Sequence, residues 1–291
     1  MPVGQVIRSH SNIYYVLVDG RTVECRPRGK FRLDKQDVLA GDRVDVHLEG
    51  EEGRIDKILP RTSALQRPAV ANVDQVLVVF TLKEPEADYL FLDRVLIHVA
   101  QAGVPPLILL NKIDLVAPEA VTEFCHIYGD QVGYEVLPIA AKPGIGLEEL
   151  KPRLNGKVSV LAGHSGVGKS RLVRTLFPER EDVRVGELSA KLGRGKHTTR
   201  HVELIPLPSG GLIADAPGFT YLEFQAIEKR DLPGYFPEFK PYASQCRFAD
   251  CMHNKEPECA VRDAVEAGQI PRSRYQSYLL FLPEIEALKR W

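Results

Sequence analysis

The sequence predicts a multidomain chain with an N-terminal all-β barrel, a doubly wound α/β domain and a C-terminal helical module that carries cysteine and histidine. Three observations carry this. Short alternating strands fill residues 1 to about 65, strands and helices alternate from about 70 to 220, and three of the five cysteines cluster with a histidine near the C-terminus. The boundaries expected are 1–66, 67–222 and 223–291. With 291 residues and 44% hydrophobic content, the chain can bury more than one core. No apolar run approaches the ~20 residues of a membrane span. The start, MPVGQVIRSHSN, lacks a signal-peptide core, so a cytoplasmic location is expected. The formal charge of -1 gives no global basic footprint, and nothing demands a dimer, so a monomer is expected.

In the first unit QVIRSH, IYYVLVDG, RTVECRPR, DRVDVHLE and GRIDKILP alternate apolar and polar residues between Gly and Asp turns. Five short strands in that length suit an OB-fold. The stretch DGRTVECRPRGKFR holds five cations, from Arg21 to Arg32, against Asp19 and Glu24. It reads either as a solvated strand face or as an oligonucleotide-binding surface.

In the second unit DQVLVVF is an unbroken apolar run, as in a buried parallel strand, and YLFLDRVLIHVAQAG is a helix stopped by Gly103. PPLILLNKID, a helix near 118–128, YEVLPIAAK and a helix near 146–154 follow. KVSVLAGHSGVGKS then opens a strand–loop–helix, and VELIPLP and GGLIADAPG complete the set. The third unit holds the helical runs CAVRDAVEAG and YQSYLLFLPEIEALKRW.

GHSGVGKS at 163–170 fits G-x-x-x-x-G-K-[ST] and follows the strand VSVLA. Gly163, His164, Ser165, Gly166, Val167 and Gly168 can turn successive N–H groups toward phosphate oxygens, with Arg171 just beyond. Lys169 adds a charged donor to the β- and γ-phosphates, and Ser170 a hydroxyl for Mg²⁺ at the start of the next helix. The motif alone does not choose the base. NKID does: the Asp114 carboxylate can accept the N1–H and exocyclic amine of guanine, a donor pair adenine lacks. Asn111 can bond N7 and brace the loop, and the stem of Lys112 can lie over the ring. In AAKPGIGLEEL, Ala141 and Lys142 resemble the Ser-Ala-Lys loop whose backbone N–H contacts guanine O6, with Ala140 in place of the serine. In DAPG at 215–218, Asp215 can hold Mg²⁺ through water and the Gly218 amide can approach a γ-phosphate. GRGKHTTRH upstream suits a switch loop, with Thr199 favoured over Thr198 for the Mg²⁺ shell.

Cys246, Cys251, His253 and Cys259 form C-x4-C-x-H-x5-C, which can close a tetrahedral, structural Zn²⁺ shell; buried inert cysteines beside a surface histidine are the alternative.

The order of loops is base reader, Ala-Ala-Lys, phosphate loop, threonine switch and DAPG. It resembles a circularly permuted GTPase, cut after the second switch and rejoined near KPRLNGKVSV. With a barrel before it and a Cys/His module after it, the chain resembles the ribosome small subunit-dependent GTPase A family (RsgA, YjeQ, YloQ) over nearly its whole length. Phe219 follows DAPG where many GTPases carry a water-orienting Gln, and a phenyl ring cannot orient water by hydrogen bonding. The resemblance implies that a switch-loop histidine, here His197, takes that task; otherwise His197 is an exposed loop residue. It also implies a C-terminal zinc-binding domain, slow GTP hydrolysis stimulated by the small ribosomal subunit, rRNA as partner and a part in late subunit maturation. His201 and the His164 side chain read most simply as loop residues. Two other classes remain open: a metabolic P-loop kinase, which needs no NKID, and a module that holds GTP without stimulated turnover.

Overall fold

The computed structural model describes residues 1–10, 12–29, 37–66, 68–178, 202–208, 210–215, 224 and 227–288. Within the first unit, β1 (Val3–His10), β2 (Ile13–Val18), β3 (Arg21–Pro27), β4 (Arg43–Glu49) and β5 (Glu52–Ile58) close into a barrel in the order β1-β2-β3-β5-β4. Only β3 and β5 run parallel. Closure removes the exposed sheet edges, and the period-two pattern sends Val6, Val16, Val18, Val44, Val46 and Ile55 inward. Ile7, on the opposite face of β1, packs into the core of the α/β domain. This is the OB-like barrel that the strand spacing predicts.

A hairpin that the sequence does not announce, β6 (Ala64–Gln66) with β7 (Ala69–Ala71), leads out of the barrel. The junction is tightly bonded. Asn72 donates from Nδ2 to the Gly41 carbonyl at 3.0 Å and accepts the Thr62 N–H at 2.9 Å. Arg61 makes a two-pronged pair with the fully buried Asp42 carboxylate, at 2.7 and 2.8 Å.

The α/β sheet comprises β8 (Gln75–Thr81), β9 (Pro106–Asn111), β10 (Glu135–Pro138), β11 (Val158–Ala162), β12 (Leu204–Pro206) and β13 (Leu212–Asp215). Their order is β10-β9-β8-β11-β13-β12, parallel except for β12. All seven residues of β8 are buried, because both faces are covered. Val76, Val78 and Phe80 meet α1 (Tyr89–Gln101) on one face. Leu77 and Val79 meet α3 (Leu147–Leu154) and α4 (Lys169–Leu176) on the other. The helix expected near 118–128 is α2 (Pro118–Cys125), continued by a wider turn over His126–Gln131. The chain runs outward from β8 to β10 and restarts at β11 on the other side of β8. The topological switch point therefore lies between β8 and β11, where open α/β sheets bind ligands. At the rejoined segment, Asp74 accepts the Val158 N–H at 2.7 Å, and Gln75 donates to the Arg153 carbonyl at 2.8 Å.

The C-terminal unit contains α5 (Lys240–Ala243), α6 (Ala260–Glu266) and α7 (Arg272–Leu288). Phe236, Phe239, Val261, Tyr278, Phe281 and Ile285 form its core, and Ile97 of α1 belongs to the same cluster. No helix among the described residues is long and apolar enough to cross a membrane.

Candidate nucleotide site and metal centre

β11 brings the chain to Gly163 at the switch point. A Cβ at Gly163 (φ 135°) would lie 2.3 Å from the Val79 carbonyl oxygen, and one at Gly168 (φ 103°) would lie 2.4 Å from Asn111 Nδ2. Both glycines are required by close approach as well as by backbone conformation. Val167 is buried and anchors the loop in the core; Ser165, Gly166 and Arg171 are exposed. Lys169 folds back over the loop, its ammonium donating to the Gly163 and His164 carbonyls at 2.7 and 2.8 Å. Ser170 follows it in the first turn of α4, where free N–H groups favour anions.

Asn111 ends β9 and is buried. Its Nδ2 donates to the Val167 carbonyl at 2.8 Å, and its Oδ1 accepts the Ala141 N–H at 3.0 Å. One side chain thus holds the base-reading turn, the Ala-Ala-Lys loop and the phosphate loop together. Asn111 engages the Ala141 N–H in the loop from which a backbone N–H is expected to reach guanine O6. Lys112 takes the left-handed conformation (φ 63°), and its ammonium donates to the Gly166 carbonyl at 2.9 Å and to that of Glu84. Asp114 is exposed in the short helical turn Ile113–Leu115, and Lys142 is exposed beyond Ala141. The register sets Asp215 opposite Leu161, so β13 ends beside the strand that feeds the phosphate loop. His197, Thr199, Gly218 and Phe219, like Lys30 and Arg32 of the basic stretch, lie outside the described residues.

Two contacts escaped the sequence reading. The His164 ring stacks on Phe91 with centroids 3.7 Å apart, and its Nε2 lies 3.1 Å from Asp88 Oδ2. The other oxygen of Asp88 accepts the Phe91 N–H at 2.9 Å and caps α1. An Asp just before a helical apolar run is a legible cap signal; its second partner, 76 residues away, is not.

Cys246, Cys251, His253 and Cys259 come together, with all four ligand atoms within 4.8 Å of one another. His253 Nδ1 lies 3.5 and 3.4 Å from the Cys246 and Cys259 sulfurs, which are 3.9 Å apart. A tetrahedral zinc shell has S···S edges of about 3.8 Å and S···N edges of about 3.5 Å, so this donor set fits. Burial pushes the Cys251 thiol up to about 12, so a thiolate there calls for a cation partner. The surrounding loop is well braced. Glu256 accepts the N–H groups of Met252, Asn254 and Lys255, and Tyr275 donates to the His253 carbonyl at 2.7 Å.

The permuted loop order on a parallel sheet, preceded by a five-stranded barrel and followed by a Cys3His cluster, defines a circularly permuted GTPase, a GTP-hydrolysing enzyme. Residues 58–225 match the RsgA GTPase family and residues 3–55 the RsgA N-terminal domain. The chain belongs to the RsgA GTPase family. It is similar to the small ribosomal subunit biogenesis GTPase RsgA of Geobacillus kaustophilus (strain HTA426), with 47% identity over 293 residues and 99% of each chain covered. The protein of that name from Moorella thermoacetica is 46% identical, covering 99% of this chain and 98% of its own. Among solved structures, YjeQ from Thermotoga maritima superposes with a TM-score of 0.83 at 37% identity, covering 98% of each chain. YloQ, described as a circularly permuted GTPase, gives 0.83 at 35% identity, covering 100% of this chain and 97% of its own.

Proposed function

We propose that the chain hydrolyses GTP as a timed step in late maturation of the small ribosomal subunit, a finer reading of the small-subunit biogenesis for which its relatives are named, and that the subunit stimulates it. The observation that carries this is the Asn111 brace, which joins the guanine reader to the phosphate loop across the permutation and makes one pocket of two distant segments. In that pocket Asp114 reads the guanine edge, Lys112 flanks the base and the 163–171 loop with Lys169 cradles the phosphates. Ser170, Asp215 and Thr199 would hold Mg²⁺, which would neutralise phosphate charge; the Gly218 amide would bind the γ-phosphate, and His197 would orient the attacking water. Zn²⁺ is held by Cys246, Cys251, His253 and Cys259 as a structural ion. The barrel (1–66) and the Cys/His module (223–291) flank the GTPase domain (67–222) and supply the rRNA contacts, and the protein acts in the cytoplasm as a monomer.

The test is GTP turnover with and without purified small subunits at two salt concentrations. Stimulation that weakens as salt rises is expected, because counterion release contributes to rRNA binding. Turnover that the subunit leaves unchanged would sink the proposal. His197→Ala should keep affinity for GTP and lose turnover.

A further inference from the structure

Helix α1 touches both the phosphate loop and the Cys/His module. At its start, Asp88 and Phe91 grip His164 by the 3.1 Å contact and the stacked ring. One turn on, Arg94 makes a two-pronged pair with Glu284 of α7, at 2.5 and 2.7 Å. Its guanidinium lies 4.6 Å from the Phe224 ring centroid and 4.9 Å from that of Phe281. Next to it, Asp93 pairs with Arg274 of α7 at 2.6 Å, both fully buried. Ile97 completes the contact inside the module's core. The distance along the helix from Asp88 to Ile97 is about 14 Å, at about 1.5 Å per residue.

We propose that α1 is a strut between the phosphate loop and the Cys/His module, with Asp88 and Phe91 as positioning residues for the loop and Arg94 for the module. The strut deepens the reading of the site as a GTP pocket and rests on it. A change in the loop when phosphates bind reaches His164, moves or stiffens the start of α1, and is felt at α7 through Arg94 and Asp93. By reciprocity, docking of the module on a partner alters the loop's hold on nucleotide.

The experiment is hydrogen exchange over residues 272–288 in the zinc-loaded full chain, with and without a saturating non-hydrolysable GTP analogue and Mg²⁺. In the wild type the analogue should slow exchange there by about fivefold or more. Asp88→Ser keeps one oxygen to cap α1 but lacks the second that reaches His164. Arg94→Met keeps the length and removes the fork. In each variant the nucleotide-dependent difference should fall below about twofold, with zinc content unchanged. Analogue binding is read separately by its own fluorescence titration. A wild type that does not bind the analogue overturns the GTP reading and the strut with it. Binding without any change over 272–288, or a full difference retained in both variants, overturns the strut alone.

Discussion

At the scale of single residues, the site is held by side chains that serve backbone. Both polar ends of Asn111 are committed to main-chain groups of other loops, so a residue type chosen to read a base also fixes the pocket's shape. Gly168 is glycine for the same reason, since any Cβ would collide with that amide. His98 shows the opposite economy, a half-buried titratable group without chemistry to do. Burial and then repulsion by Arg94 push its pKa down to about 4, against a partial opposing pull from Glu284. Its Nε2 has no hydrogen-bond partner among the described residues, and its ring stacks on Phe224 at 5.5 Å. The sign follows from proton counting. Between its ordinary value near 6.5 and about 4 the unfolded chain binds a proton that the native one refuses. The stability present above that ordinary value is therefore lost as pH falls through this window, by about 3 kcal/mol in all. His98→Phe should keep the stack and flatten that decline, measured as the drop in thermal midpoint between pH 7 and pH 5. An equal drop in wild type and variant would remove His98 as a cause.

At the scale of elements, α1, α7 and the segment before α5 meet at one buried cation. Arg274 is fully buried and pairs with Asp93 at 2.6 Å and Glu238 at 2.7 Å, and the Tyr128 hydroxyl donates to Asp93 at 2.9 Å. Breaking such a set from one side is costlier than replacing all of it. Arg274→Met should lower stability by about 3–5 kcal/mol, because two carboxylates remain buried together. Adding Asp93→Leu and Glu238→Leu should recover most of that loss, as read by urea unfolding followed at the C-terminal unit. A triple variant no better than the single one would show that the charges stabilise in their own right. This cluster also marks what a sequence can carry. The phosphate loop, NKID and the Cys/His spacing are legible because their chemistry lies within a few consecutive residues, and β8 is legible because a strand covered on both faces has no polar side. Arg274 on an amphipathic run looks like any solvated charge. Its partners, 36 and 181 residues away, exist only in the fold. His164 is obscured in the same way, and β6 and β7, three residues each, are too short to show a period.

At the scale of the whole molecule, the permutation decides what the GTPase domain touches. Cutting the sheet after β13 leaves the chain to continue from the C-terminal end of that strand toward the C-terminal unit, while the barrel enters before β8, at the opposite end of the parallel strands. The barrel reaches further, since Arg8 of β1 pairs at 3.3 Å with Glu203, which lies four residues after Thr199 and next to β12. How firmly the barrel is seated depends on the turn at Gly41. There φ is 91°, and a Cβ would stand 2.0 Å from the Ala71 carbonyl oxygen, backbone that cannot swing aside. Gly41 also supplies the carbonyl that Asn72 bonds at 3.0 Å. Gly41→Ala therefore costs at least the ~1–3 kcal/mol of a strained left-handed residue, and the clash adds separation of barrel from sheet. The barrel's own core, built on Val6, Val16, Val44 and Ile55, does not include this turn and should survive. Limited proteolysis should then cut within 59–73 about tenfold faster, the rate expected when local opening becomes easier by ~1.4 kcal/mol. Affinity for a GTP analogue should stay within about threefold, since the Asn111 brace stands apart from the junction. Faster cutting spread evenly along the chain would mean that the turn supports the global fold and not the seating of the barrel.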